Sequence, residues 1–223
     1  MARTRHNDLR TGVPRAVIGF VHPGDVRAEF ATSLVALALQ GRTRIDNVIA
    51  LESGPNISTA RNKIVREFLD NHRAPWLLMI DTDMVWSATA LDRLIAANKP
   101  VIGGLCYSYA DGEVQPTMYE LVPEGERYGF KRPDSWLEGS VLRVTATGAA
   151  FLLVHRDVLA AMPESTKDVS APWFRETPVG SPLAMMGEDM TFCLRLAAME
   201  IPVHVHTGVQ IGHMKFTMLG KVI

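Results

Sequence analysis

The stretch Trp76-Leu-Leu-Met-Ile-Asp81-Thr-Asp83 is an apolar run of strand length that ends in two acids one residue apart. A strand apolar on both faces belongs inside a covered parallel sheet, and ligands of open α/β sheets gather beyond the carboxyl ends of such strands. Unneutralised carboxylates at that edge point to a divalent cation. Near the C-terminus, His204, His206 and His213 supply imidazoles, with Lys215 beyond them. A shell of one carboxylate and one imidazole, completed by phosphate oxygens, suits Mn²⁺ or Mg²⁺ better than structural zinc, which takes more Cys and His.

Two further groups have the right residue types. Gly187-Glu188-Asp189 opens a helix, where acids are favoured by the macrodipole, and that alone accounts for them. Adjacent acids nevertheless point in different directions, so one can face a cleft and take a proton from a hydroxyl while the other orients the acceptor or caps the helix. Ala60-Arg61-Asn62 follows a Gly-Pro loop at a helix start, where backbone amides and an Arg fork can meet a diphosphate. An Arg on the exposed face of an amphipathic helix is the plainer account of that triplet. His204 and His206 alternate along a strand and read as surface or core-satisfied imidazoles, whereas His213 follows Gly212 in an irregular tail where packing asks for no imidazole.

These residues need a scaffold, and strands alternate with helices through the first half of the chain, the signature of a parallel sheet covered by helices. Arg15–Val21 reads as the first strand. A helix follows from Asp25, its N-cap, to Gly41, with Val26, Phe30, Leu34, Leu37 and Leu39 as its apolar stripe. Val48–Leu51 is the second strand, and Ser58 caps a helix that buries Ile64, Val65, Phe68 and Leu69. The Asp81 strand, a helix over 88–98 and a fourth strand over 100–105 complete this half. Residues 107–140 are rich in Gly, Pro, Tyr and charge and read as hairpins and loops. Strands at 141–145 and 150–154 flank Thr147-Gly148, and His155-Arg-Asp157 opens a helix to Met162. Four prolines between 163 and 182, around Trp173 and Phe174, suggest a mobile lid from Met162 to Pro182. A helix from Gly187 to Glu200 and a strand over 202–205 close the fold.

At 223 residues, 47% of them apolar, the chain can bury one full core. A net charge of -1 gives no reason to expect nucleic acid as a partner. Residues 1–14 read as a flexible basic arm carrying Arg3, Arg5 and Arg10. No apolar stretch reaches the roughly 18 residues of a membrane span, so a cytoplasmic protein is expected. Cys106 and Cys193, both in apolar sequence, read as reduced core thiols. G-x-x-x-x-G-K-[ST], G-x-G-x-x-G and G-x-S-x-G are all absent, which argues against P-loop, dinucleotide-binding and serine-hydrolase chemistry.

In order and spacing, Ala60-Arg-Asn62, Asp81-Thr-Asp83, Gly103-Gly104, Thr147-Gly-Ala-Ala-Phe151 with His155-Arg-Asp157, Gly187-Glu-Asp189 with Phe192, and Gly212-His213 resemble the GT-A fold glycosyltransferases. The likeness is to the small family-2-like type that stands alone without a membrane domain. It implies a Rossmann-like nucleotide-diphospho-sugar transferase fold over 15–223, with a donor half to about 105 and an acceptor half beyond. It also implies transfer of a sugar from a nucleoside diphosphate sugar, commonly a UDP- or GDP-sugar, to an acceptor hydroxyl, with Mn²⁺ or Mg²⁺.

By the same resemblance Asp83 and His213 hold the metal, Asp81 contacts the nucleoside, and Lys215 helps neutralise the leaving diphosphate. Pro23, Glu52, Arg61, Gly104 and Gly148 belong to the donor site, with Glu52 placed where the family more often has Asp. Asp189 is the general base of an inverting transfer and Glu188 shapes the acceptor site. A retaining reaction, in which these acids only position the substrates, stays open, as does the acceptor, because the chain runs only to Ile223 after His213. A sugar-phosphate nucleotidyltransferase is the nearest rival, but it calls for a Gly-rich loop with Arg and a downstream Lys where this chain has His22-Pro-Gly-Asp-Val-Arg27. A non-catalytic nucleotide-sugar-binding protein of the same fold is the third reading.

Overall fold

The computed structural model describes residues 12–215 apart from Pro55, Asp111, Glu126 and Gly180, so most of the expected basic arm lies outside the described residues. A seven-stranded sheet organises them. Its strands lie in the spatial order Val141–Val144, Val203–Gln210, Val101–Leu105, Phe151–His155, Trp76–Asp81 (β3), Arg15–His22 (β1) and Arg44–Glu52 (β2). β1, β2 and β3 run parallel, and Val101–Leu105 and Val203–Gln210 share their direction, while Phe151–His155 and Val141–Val144 run the other way.

The mixed direction corrects one expectation. β3 is interior and apolar, but only its β1 neighbour is parallel; Phe151–His155 pairs with it antiparallel, Phe151 opposite Ile80. Composition could not distinguish these cases, because either kind of strand is apolar on both faces once helices cover the sheet. Successive β3 side chains alternate between two cores: Leu77 and Met79 join one, Trp76, Leu78 and Ile80 the other. The first core is covered by α2 (Ile57–Asn71) through Ile64 and Phe68, by α4 (Arg156–Thr166) through Leu159 and Met162, and by α5 (Glu188–Ala198) through Phe192 and Leu196. The second is covered by α1 (Ala28–Gln40) through Phe30 and Leu37 and by α3 (Ala90–Ala96) through Leu91 and Leu94.

Helix starts differ from the sequence expectation in two places. α1 begins at Ala28 with Arg27 at its cap and no side-chain cap bond, so Asp25 does not cap it; Val26 and Leu39 are exposed. α2 is capped by Asn56, whose Oδ1 accepts from the Thr59 amide at 2.9 Å, while Ser58 lies inside the first turn. Several N-cap-type residues stood together, and only the chain's entry angle selects among them.

The expected lid is an anchored segment. α4 continues through Pro163 to Thr166 and ends on Lys167 in the left-handed region at φ 55°. Trp173 and Phe174 are buried: the Trp173 indole N–H donates to Leu159 O at 2.7 Å, and Phe174 stacks on Phe192 with centroids 4.6 Å apart. Asp168 ties the stretch down by accepting from Ser170 Oγ, the Ala171 amide, Arg175 and Arg195. Burial alone would raise its pKa, but these donors outweigh it and hold the carboxyl well below the usual range. Its stabilisation is therefore present above the ordinary aspartate range and lost as pH falls through the lowered folded-state value. Asp168→Ala leaves the half-buried Ala171 amide and Arg195 Nη2 without their acceptor, and a loss of about 2 kcal/mol is expected in urea melts at neutral pH. An unchanged midpoint would mean that the aromatic pair alone anchors the segment.

Candidate active site

The carboxyl edge of the sheet assembles the polar residues. His22 pairs with Glu52, and Val21 with both Leu51 and Asp81, so the ends of β1, β2 and β3 are level. Because Phe151–His155 runs antiparallel, its amino end lies at this same edge, and the Asp81 amide donates to Ala150 O at 3.0 Å. That crossover brings Gly148 to the acids.

Asp83 and His213 meet across 130 residues of sequence. Two-residue strands Met84–Val85 and Gly212–His213 pair antiparallel, and the Met214 amide donates to Asp83 O at 2.8 Å. His213 thus sits on a paired strand and not in an irregular tail. Its Nδ1 lies 2.6 Å from Tyr107 O, which can only accept, so Nδ1 carries a proton. Nε2 then faces Asp83 Oδ2 at 2.8 Å, with Lys215 Nζ at 3.3 Å from the same oxygen. An imidazole fixed by a carbonyl at one nitrogen and aimed at a carboxylate with the other is the arrangement of a metal ligand with its supporting partner. Among the described residues no cluster of three or more His, Cys, Asp and Glu could by itself hold a metal. Asp83 and His213 nevertheless fit a hard cation that takes its remaining ligands from substrate phosphates and water, as Mg²⁺ commonly does.

Beside this pair lies a charge hub. Arg61, only 4% exposed, donates through Nη2 to Asp81 Oδ1 at 2.6 Å and through Nη1 to Glu188 Oε1. Burial works against its charge, but Asp81 and Glu188 outweigh that and raise its pKa. The plainer account of Arg61 as a surface residue therefore fails, and its fork is taken by carboxylates, which fixes the orientation of Asp81. Removing it would leave the largely buried Glu188 and the half-buried Asp81 without their cation. Arg61→Ala is expected to cost about 3 kcal/mol or more in denaturant unfolding, and Arg61→Lys to recover only part, since an ammonium cannot bridge two carboxylates in a fixed plane. An Arg61→Lys protein as stable as the parent would overturn the bridging role.

Glu188 and Asp189 part company at the start of α5. Glu188 turns to Arg61, whereas Asp189 turns to a cavity of about 330 Å³ lined also by Asp81, Asp83, Gly148, His213 and Lys215. Burial pushes the pKa of both acids up, with Arg61 opposing, so each takes a proton more readily than a free carboxylate. The Met190 amide donates to Asp189 Oδ1 at 2.7 Å and fixes the carboxylate. Gly187 makes room for it, since a Cβ there would lie 2.9 Å from that same oxygen.

Other expected residues fall outside this cavity. Pro23 and Glu52 are exposed at the β1 and β2 ends, on the same sheet edge but not in the lining. Gly104 is a packing glycine: a Cβ would meet the Ile211 side chain at 2.6 Å and Val209 O at 3.1 Å. His204 is buried and its Nδ1 lies 3.4 Å from Val101 O, and both cysteines are free and buried. Thr117, Tyr119 and Tyr107 line the cavity without having been expected. Tyr107 and Tyr119 come from the two hairpins of the middle segment, Tyr107–Ala110 with Glu113–Pro116 and Met118–Glu124 with Arg127–Lys131, and Thr117 is the residue that joins them. Thr117 O holds Gly148 in place by accepting from its amide at 3.2 Å and from Thr147 Oγ1 at 2.9 Å. No local pattern marks such residues, because their position depends on contacts 30 residues apart.

By sequence, no family model and no curated protein matches the chain. By structure it is similar to A197 from STIV, with a TM-score of 0.59 at 16% identity over 91% of this chain and 86% of that one. It is also similar to GalNAc-T7, seen with UDP, GalNAc and Mn²⁺, with a TM-score of 0.57 at 8% identity over 90% of this chain. This chain covers 43% of that structure's length. The chain has the GT-A fold, an α/β domain built on a mostly parallel sheet covered by helices. No helix among the described residues is long and apolar enough to cross a membrane.

Proposed function

We propose that the protein is a metal-dependent glycosyltransferase that moves a sugar from a nucleoside diphosphate sugar to an acceptor hydroxyl. One observation carries this reading: Asp83 with His213, Lys215 and the half-buried Asp189 converge on a single cavity at the carboxyl edge of a GT-A sheet. The Mn²⁺ and UDP held by GalNAc-T7 lend it support as a property of that protein's fold.

Asp83 Oδ2 and His213 Nε2 would hold Mn²⁺ or Mg²⁺, which when bound supplies charge that stabilises the departing diphosphate. Asp81, oriented by Arg61, would face the nucleoside side of the donor. Asp189 takes the proton of the acceptor hydroxyl as its oxygen bonds to the anomeric carbon. The bond from that carbon to the phosphate oxygen breaks, the diphosphate leaves with the electron pair, and Lys215 is within reach of its charge. Attack from the face opposite the diphosphate inverts the anomeric centre. Glu188 acts through Arg61 and is a positioning residue in this scheme.

The test is the melting temperature of the purified protein with UDP, GDP and their sugars, each with and without Mn²⁺ or Mg²⁺. A ligand at about 100 times its dissociation constant contributes roughly 2.7 kcal/mol, so a metal-dependent rise with one nucleotide is expected. A panel with no rise for any nucleotide would remove the donor site from this reading.

A further inference from the structure

Part of the wall of the Asp189 cavity has no side chain. A methyl group placed on Gly148 would lie 3.6 Å from Asp189 Oδ2 and 3.7 Å from Thr117 Oγ1, with Thr117 Cβ at 3.8 Å. These are ordinary contact distances, and Gly148 does not lie in the left-handed region, so neither packing nor backbone geometry demands glycine here. What the missing side chain provides is open space between two oxygens that belong to one cavity.

The two oxygens ask for the same thing. The Met190 amide takes Asp189 Oδ1 at 2.7 Å, so Oδ2 is the oxygen turned toward Gly148. Thr117 Oγ1 donates its own proton to Cys106 O at 3.3 Å and presents its lone pairs to the gap. The residue is half-buried and fixed by its main chain: the Thr117 amide donates to Cys106 O at 3.0 Å, and Thr117 O accepts from the Gly148 amide and the Thr147 hydroxyl. A group seated between the two acceptors must bring two protons, and a lone hydroxyl brings one.

We propose that the acceptor substrate is a sugar or another polyol with hydroxyls on adjacent carbons, and that Thr117 is a specificity residue that receives the hydrogen bond of the hydroxyl beside the attacking one. The inference rests on the transferase reading and names the substrate class of its acceptor side. Asp189 Oδ2 takes the proton of the attacking hydroxyl; the neighbouring hydroxyl keeps its proton and donates it to Thr117 Oγ1, which selects the hydroxyl that attacks. An isolated hydroxyl, such as a serine side chain, leaves Thr117 without its donor, and a site built around a substrate hydroxyl rejects a ligand that lacks it. At about 330 Å³ the cavity is at the small end of ligand pockets, which suits a ring and not an extended peptide.

The full chain with UDP or GDP and Mg²⁺ is titrated with the methyl α-glycosides of glucose, galactose and mannose, and with cyclohexanol and N-acetylserinamide as single-hydroxyl controls, while the Gly148 and Met190 amides are followed by NMR. Saturable shifts with at least one glycoside are expected, and none with the controls. Thr117→Val, which keeps every main-chain contact, should weaken the glycoside at least about tenfold, or about 1.4 kcal/mol, and Thr117→Ser should restore it. Gly148→Ala should melt with the parent and lose the glycoside, because its methyl fills the gap. Silent glycosides, controls that bind as tightly, or a Thr117→Val or Gly148→Ala protein that binds like the parent would each overturn the proposal. A glycoside displaced when the sugar nucleotide replaces the nucleotide would assign the diol to the donor and overturn it too. The titration is repeated in EDTA without nucleotide. Glycoside shifts there, with no melting response to any nucleotide, would sink the transferase reading and leave a sugar pocket; a nucleotide response with silent glycosides would sink this proposal alone.

Discussion

Asp83→Ala and His213→Ala should each abolish the rise in melting temperature that a nucleoside diphosphate produces with Mn²⁺, and EDTA should do the same to the parent protein. The reason lies in the number of ligands. Among the described residues Asp83 Oδ2 and His213 Nε2, 2.8 Å apart, are the whole contribution to the proposed metal site, so losing either halves it. At nucleotide concentrations near 100 times the parent's dissociation constant, nearly all of the roughly 2.7 kcal/mol of ligand stabilisation is at stake. The unliganded proteins should melt close to the parent, because Asp83 is one-third exposed and His213 keeps its Tyr107 partner. Asp83→Asn separates the readings further: it keeps the shape and removes the charge, and a binding protein that uses no metal should tolerate it. Variants that retain the full metal-dependent rise would place the cation elsewhere.

Asp189→Asn should leave nucleotide binding intact and lower the transfer rate by about two to four orders of magnitude, the usual worth of a general base. The substitution preserves the acceptor oxygen facing the Met190 amide and removes only the proton-accepting charge. Its effect on stability follows from the direction of the pKa shift. Burial raises the folded-state value, so the contribution of this carboxyl to stability is complete below the ordinary aspartate range and is lost as pH rises through the raised value. At neutral pH the ionised acid is held against its preference, and the Asn variant should be at least as stable as the parent. The parent's rate should fall on the acid side with a midpoint above that of a free aspartate. An Asp189→Asn enzyme with undiminished transfer would refute the base assignment and favour a mechanism in which the acids only position substrates.

The separation of the two neighbouring acids follows from the same geometry. A helix places successive residues about 100° apart, so Glu188 and Asp189 point in different directions and do not share one hydrogen-bond partner. Arg61 captures the first, which leaves the second to the cavity. Arg61 is thus a link between the nucleoside side of the site, through Asp81, and the turn that presents Asp189. Its loss should disturb both binding and transfer, whereas Asp189→Asn disturbs transfer alone.

The sequence by itself determined the sheet strands, the covering helices and the Asp81-Thr-Asp83 edge, because these depend on local pattern. An apolar run flanked by turn residues is a strand wherever it packs, and acids at its end must face solvent, a ligand or a cationic side chain. It also held the order of short motifs from Arg61 to His213 that resembles the GT-A enzymes. Tertiary structure decided the rest. The antiparallel entry of Phe151–His155, which carries Gly148 to the acids, is a choice of direction that a strand buried on both faces does not encode. The burial of Trp173 and Phe174 in a proline-rich stretch depends on Asn62, Leu159 and Phe192, distant in sequence. Arg61 reaches Glu188 and Asp83 reaches His213 across more than a hundred residues of sequence. Periodicity reports which face of an element is buried; only the closed fold decides what that face meets.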